Sequence, residues 1–413
     1  MAKPSDMNKY FNKKPEEKKE TKNLEPTAVN KYQINVEIGD IRLVDTDGIG
    51  ITYKEICDYA KNNFPIRILT LTVNADTYHK INSLPKEEIN GFKDLVKIQI
   101  DAHPLSGDGF LNKPFNDGEF YGMIKTSDSS NDYQSMIDPE SSAYKSSATD
   151  FKTEINITLF RSTELRFATS NKLNTLYNNS TLTQIFFNSF VKTNPNIKLV
   201  VSKFDHNPNL GILPLRNMSF RNMIEFLEFE VGFYKTDYMM FLDCNIFFFL
   251  NKYNNINVKY KELEHNIHIK PARMDGQRTN RVVTKVDDYN YACTIGPNDY
   301  KVSKPTNKSF NNSYSYQTPS GKLINYENAL SRNVTTIYKA TEAVPIQKTP
   351  NIRYEYIDMS LLDNSVNFIN PLTKITYIDS TRQMRIYRII RKEIEVLSSR
   401  SSSMKLKGLR VIE

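Results

Sequence analysis

The sequence predicts an α+β protein that is mainly β: two antiparallel β modules with a small α/β unit between them. Three observations predict this. Period-two alternation of apolar and polar residues dominates both ends of the chain. Helix caps followed by helical apolar spacing occur in the middle, around Thr181 and Ser219. The apolar runs of the first module are separated by Asp-Gly and Ser-Gly turn signals instead.

Residues 1–31 read as a disordered basic arm, because Lys13 to Asn23 (KKPEEKKETKN) contains no apolar residue to offset its ordering entropy. The first β module spans 32–168. In Leu95–Ala102, Val96, Ile98, Ile100 and Ala102 share one face, while Lys97, Gln99 and Asp101 share the other, as a half-buried strand requires. Ile66–Val73 and Glu154–Phe160 behave similarly, and Glu119–Lys125 is a fourth strand. Turns are expected at Asp47-Gly48, Ser106 to Gly109 and Asp117-Gly118, and 127–149 reads as a polar loop or flap. Strands joined in this way imply a sandwich or a barrel.

The α/β unit spans 169–256. Thr181-Leu182-Thr183-Gln184 is a capping box, followed by the stripe Leu182, Ile185, Phe186 and Phe190, with Pro195 as the stop. Ile197–Ser202 is a short buried strand. Ser219 caps a second helix carrying Phe220, Met223, Ile224, Leu227 and Val231, and Gly232 stands where a left-handed terminating residue belongs. Tyr238–Leu242 and Ile246–Leu250 then flank Asp243-Cys244-Asn245 as a hairpin, with Phe247, Phe248 and Phe249 read as core on both faces. The second module spans 257–413. It is a small antiparallel barrel built from 367–378, Met384–Leu397 and Met404–Ile412, completed by Asn257–Ile269, with a polar insertion over 272–350.

Composition narrows the chemistry. The chain has 413 residues, 39 % of them hydrophobic and 25 % charged, enough for a large core. A mean hydropathy of −0.53 points to polar loops and tails. Cys57, Cys244 and Cys293 are too few and too far apart for a disulfide framework or a metal pair, which favours a reducing compartment. No signal-peptide pattern opens the chain, and its most apolar run, Tyr238 to Leu250, is interrupted by Asp243 and Asn245, so a soluble protein is expected. The Asn-x-Ser/Thr triplets at Asn156, Asn179, Asn217 and Asn333 read as chance.

No P-loop, dinucleotide fingerprint, nucleophile elbow or zinc spacing is present. Asp45-Thr46-Asp47-Gly48 reads as a turn instead of a calcium loop, which would need further oxygen ligands and a distal Glu. His265 and His268 lie three apart in a strand-like stretch, so their side chains point to opposite sides. No catalytic, cofactor-binding or metal-binding residue is therefore assigned, and no enzyme activity is expected. The net charge of +8 permits an anionic partner. Arg382, Arg385, Arg388, Arg391 and Lys392 cluster, but Arg382, Arg388 and Lys392 share one strand parity while Arg385 and Arg391 take the other. Only Tyr387 lies near as a stacking platform, so a nucleic-acid groove is not the preferred reading.

The order of parts carries more than any motif. LVKIQIDA, EFYGMIK and EINITLFRST come first, then SFRNMIEFLEFEVGFY and YMMFLDCNIFFFL, and at the end NFINPLTKITYID, MRIYRIIRKEIEVLS and MKLKGLRVIE. This layout, over most of 32–413, resembles the baseplate hub proteins of contractile phage tails and related injection machines. The 272–350 insertion and the basic arm have no counterpart in that pattern. The resemblance implies two tail-tube-like barrels per subunit and a homotrimer adapting a six-fold tail tube to a three-fold spike. It also implies tail-tube, spike and other baseplate proteins as partners, a place in the virion tail after assembly in the host cytoplasm, and no covalent chemistry. The interfaces it implies lie on barrel strands and loops, with Leu95–Asp101 and Met384–Val396 as the candidates. The alternatives are another baseplate or tail-terminus component, a basic nucleic-acid-binding protein using Arg382–Lys392 and the N-terminal arm, or an enzyme whose site is built by the fold.

Overall fold

The structure is a computed structural model describing residues 31–45, 49–105, 114–125, 152–169, 172–253, 260–272, 281–310, 351–362, 368–379, 383–400 and 402–412. The basic arm up to residue 30, the 127–149 flap, the Asp47-Gly48 and Ser106 to Gly109 turns, Asn333 and Arg382 lie outside them. The chain divides into two compact units. The first holds the described residues up to Ser162 and those of 260–305 and 355–410; the second holds the described residues of 163–259, 306–354 and 411–413.

The chain opens with β1 (Tyr32–Ile38), β2 (Ile41–Val44), β3 (Gly50–Asp58) and β4 (Ile66–Asn74). Helix α1 (Ala75–Asn82), capped by the Asn74 side chain on the Thr77 amide, leads to β5 (Glu87–Ile89), β6 (Phe92–Pro104), β7 (Gly118–Lys125) and β8 (Lys152–Phe160). Helix α2 (Ser162–Ala168) precedes β9 (Leu173–Thr181), α3 (Leu182–Thr193), β10 (Lys198–Val201), β11 (Asn209–Met218), α4 (Phe220–Glu230), β12 (Tyr238–Asp243) and β13 (Ile246–Asn251). Then follow β14 (Asn266–Pro271), β15 (Thr284–Lys285), β16 (Asn290–Ile295), β17 (Tyr300–Val302), β18 (Thr306–Ser309), β19 (Asn351–Leu361), β20 (Lys374–Ile378), β21 (Met384–Leu397) and β22 (Ser402–Ile412). The mainly β, α+β class is the one the chain adopts.

In the first unit the strands form one ladder running β2–β1–β6–β7–β8–β4–β3–β21. Beyond β21 it forks. One edge of β21 carries β20, then β14 and β16; the other carries β22, then β19 and β17. The two expected β modules are thus not independent: β3 from the first pairs with β21 from the second, Thr52 to Asp58 against Leu397 to Arg391. Among the described residues no closed barrel forms, because that pairing takes up the strand edges each module would need to close on itself. The second module is also not antiparallel throughout, since β14 runs parallel to both β16 and β20. Part of the expected loop-rich insertion at 272–350 contributes β15 to β18; 311–350 lies outside the described residues. The expected strand over 367–378 is shorter, because Pro371 lacks an amide donor and Asn370 and Thr373 close a turn before β20 starts.

The alternation seen in the sequence becomes the core. Tyr32, Ile34, Val36 and Ile38 of β1 are buried opposite Ile98, Ile100 and Ala102 of β6. Gly122 sits on β7 where a methyl group would come within 2.3 Å of Ile98 Cδ1 and 2.7 Å of Ile157 Cγ2. Its missing side chain is what lets β6, β7 and β8 pack so closely.

The second unit is built around aromatic rings. The expected capping box on α3 is present, with the Thr181 hydroxyl accepting from the Gln184 amide at 3.2 Å and the Gln184 side chain accepting from the Thr181 amide at 2.9 Å. Helix α4 ends at Val231, and Gly232 takes φ 78°, donating its amide to Leu227 O at 2.8 Å. β12 and β13 form the expected hairpin, turning at Cys244 with φ 52°. β10 adds in parallel to β13, whose Phe247, Phe248 and Phe249 are at most 1 % exposed. Phe186 lies 5.0 Å from Phe249 and 5.3 Å from Phe204, ring centre to ring centre, the offset and edge contacts that aromatic quadrupoles favour. The sequence reading did not place the ribbon of β9 with β11, nor helices α1 and α2.

Gly122→Ala should lower stability by about 1–3 kcal/mol, because Ile98 and Ile157 are held by β-strand neighbours and cannot give way freely. The urea midpoint should fall at an unchanged m-value; an unaltered midpoint would mean this packing is looser than described.

Candidate functional site

Where β3, β4 and β21 meet, three charged side chains lie inside the core. Glu55, Arg67 and Lys392 are 3 %, 0 % and 1 % exposed. They arrive there through strand parity. Tyr53, Glu55 and Cys57 share the inward face of β3, and Arg67 shares that of β4 with Leu69, Leu71 and Val73. Lys392 shares the inward face of β21 with Ile394 and Val396.

Glu55 is the centre. Its Oε2 accepts from Arg67 Nε and from the Tyr53 hydroxyl, both at 2.9 Å, and its Oε1 lies 3.5 Å from Lys392 Nζ. Lys392 also donates to Ile369 O at 3.4 Å. Burial alone would raise the carboxyl's pKa, but the charges of Lys392 and Arg67 outweigh that and hold it down at about 2. Tyr53 is pushed well above the ordinary phenol range, first by burial and then by the Glu55 charge. The arrangement joins β3, β4 and β21 through one carboxylate.

A second carboxylate anchors the other arm of the fork. Glu355 on β19, 2 % exposed, takes hydrogen bonds from Arg410 Nη1 and the Tyr387 hydroxyl at 2.8 Å, and lies 3.4 Å from Arg385 Nη1. Arg385 reaches Asp379 as well, at 3.0 Å.

These contacts dispose of most of the basic cluster. Lys392 serves Glu55, Arg385 serves Glu355 and Asp379, and Arg391 lies 3.3 Å from Glu393. Desolvation draws Arg388 down to about 10. Tyr387 is fully buried, so it offers no stacking face. The two histidines, His265 and His268, are packed among other side chains. His268 on β14 is hydrogen-bonded through Nε2 to Asn290 Oδ1 at 3.0 Å, and His265 packs 4.7 Å from the Phe368 ring. Among the described residues no group of three or more His, Cys, Asp or Glu could hold a metal ion, and no helix is long and apolar enough to cross a membrane.

The two candidate interface strands are interior ones. β6 is paired with β1 over Ile98–Pro104 and with β7 over Leu95–Ile100, so most of Leu95–Asp101 lies inside the sheet. Over Met384–Val396, β21 is likewise flanked by β20, β3 and β22. What these strands can offer a neighbour is an outward face, such as Lys97, Gln99 and Asp101 on β6. Open edges lie elsewhere: among the described residues β2 is paired only with β1, and β9 and β11 only with each other.

No protein-family model matches the sequence, and no curated protein matches it. Among solved structures, the chain is similar to a tail protein from Neisseria meningitidis MC58, with a TM-score of 0.41 and 10 % identity over 92 % of this chain and 97 % of that one. It is similar at the same TM-score and identity to a 43 kDa tail protein of prophage MuSo2 from Shewanella oneidensis, over 92 % and 98 % of the two chains. A third likeness is to an E. coli component of the type VI secretion system, with a TM-score of 0.36 and 9 % identity over 92 % and 77 %.

Glu55→Gln should cost about 3–5 kcal/mol, since it leaves Arg67 and Lys392 buried without their counter-charge, whereas Glu55→Gln with Lys392→Met should recover part of that loss. Urea denaturation of the four members of this cycle measures the coupling, and additive effects would show that the pair does not act as a unit. The cluster also fixes a pH dependence. Glu55 stays ionised in the fold down to about pH 2, while in the unfolded chain it protonates near 4.5. Its contribution of about 3 kcal/mol is therefore complete above pH 5 and is lost progressively as pH falls towards 2. The double variant should show a correspondingly shallower decline over that window.

Proposed function

We propose that this chain is a structural component of a phage-tail baseplate and, within it, the hub that adapts a six-fold tail tube to a three-fold spike as a homotrimer. The observation that carries this reading is the β3–β21 pairing. A hub subunit must present two β modules at fixed spacing around a ring, and a shared ladder pinned by buried charges holds two modules from opposite ends of a chain in one rigid frame. The layout of motifs described above supports the same reading. Closure of a ring would also cover the open edges of strands such as β2, which otherwise invite uncontrolled pairing.

The role needs no covalent chemistry, and the titratable groups at the seam are committed to each other. In this reading the partners are tube, spike and other baseplate proteins, and the protein resides in the assembled virion tail.

Light scattering on the purified chain at low and high salt tests the proposal. The expected mass is three times 47.9 kDa at both salt concentrations, as a ring held by apolar faces and strand edges requires. A monomer at all concentrations, combined with DNA binding that weakens steeply with salt, would favour the nucleic-acid alternative instead.

A further inference from the structure

On the face of the ladder where β17, β19, β21 and β22 lie side by side, a cleft of about 300 Å³ collects an excess of positive charge. Strand register sets it up. Lys301 on β17 stands opposite Asp358 on β19, and on the next pair of strands Lys407 of β22 stands opposite Arg391 of β21, with Lys405 opposite Glu393. Lys407 and Arg391 are like charges placed directly across a strand pair, a repulsion offset by Asp358 at 3.7 Å from Lys407 and Glu393 at 3.3 Å from Arg391.

The carboxylates present are largely engaged. Asp299 accepts from Arg281 Nη1 at 3.0 Å, and Glu393 is shared between Lys54 Nζ at 3.2 Å and Arg391 Nη2 at 3.3 Å; of these cations only Arg391 lines the cleft. Asp358 lies 3.7 Å from Lys407 Nζ and stands opposite Lys301. Four cationic side chains, Lys301, Arg391, Lys405 and Lys407, therefore converge on a concave space with three carboxylates, two of which also hold a cation outside it, so positive charge is in excess. They remain accessible there: the side chains of Lys407 and Arg391 are 36 % and 42 % exposed, and Lys301 and Lys405 are exposed.

We infer that this cleft binds a compact oxyanion, a phosphate or a carboxylate group, through Lys301, Lys405, Lys407 and Arg391. Arg391 supplies a planar fork and the three lysines supply point charges, a set suited to an anion with several acceptor oxygens. The site goes beyond the structural role proposed above and does not depend on it.

Calorimetric titration of the full chain with sodium phosphate and, separately, with tricarballylate, at fixed ionic strength balanced with chloride, tests the inference. Saturable binding of at least one probe is expected, and whichever binds identifies the source of the oxyanion. Lys301→Ala with Lys405→Ala should weaken that binding by about fivefold or more while leaving the urea midpoint in place, because both side chains are exposed. Asp358→Asn should strengthen it by freeing Lys407, a change of sign that a purely structural role for these residues would not produce. Absence of saturable binding with both probes, or affinity unchanged in the lysine variant, would overturn the inference.

Discussion

The first unit depends on a single buried carboxylate. Glu55 sits among apolar side chains with Arg67, Lys392 and Tyr53 around it, and the register of β3, β4 and β21 brings all four together. A slip of one residue between β3 and β21 would turn Lys392 to the opposite face and leave Glu55 short of a counter-charge in the core. Apolar residues of similar volume would serve stability about as well, because desolvating three charges offsets most of their attraction. What the charges add here is exclusion of the neighbouring registers. That matters where two flat, alternating strands from distant parts of the chain must find each other.

The second unit solves its packing by other means. Its described core relies on rings. Phe186, Phe190, Phe220 and Phe247 bring α3, α4 and β13 together at centroid separations of 5.4–5.9 Å. Such contacts are individually weak and tolerant of small shifts, so uniqueness must come from the ends of the elements. The capping box at Thr181, the left-handed Gly232 and the two-residue turn at Cys244 supply it.

This contrast explains what could be read from the sequence. Caps, stops and hairpins are local signals, so α3, α4 and the β12–β13 hairpin were legible residue by residue. The alternation of β6 gave its inward face correctly as well. Pairing partners were not legible, because nothing local in MRIYRIIRKEIEVL names GITYKEICD as its neighbour. A signal for the seam did exist. Glu55, Arg67 and Lys392 each stand at an apolar-parity position in an otherwise alternating strand, and three opposite-signed exceptions of that kind point to one another. Splitting the cluster at 382–392 by strand parity alone did not show this, since parity does not say that Lys392 and Arg385 meet different carboxylates. The parallel pairing of β14 carried no sequence signal, because its six residues are too few to distinguish a strand buried on both faces from an edge strand.

The pairing of β3 with β21 has a consequence for how the chain is made. Tyr53 meets Val396, so the ribosome must make the chain through β21 before the first module can finish its sheet. Until then β3 keeps an unpaired edge, and the side chains of Glu55 and Arg67 wait in a core whose third charge has not been synthesised. Contacts so distant along the chain close slowly, and an exposed edge during that interval favours association with other copies. Yield and misassembly should therefore be governed by the supply of the last strands more than by the stability of the first.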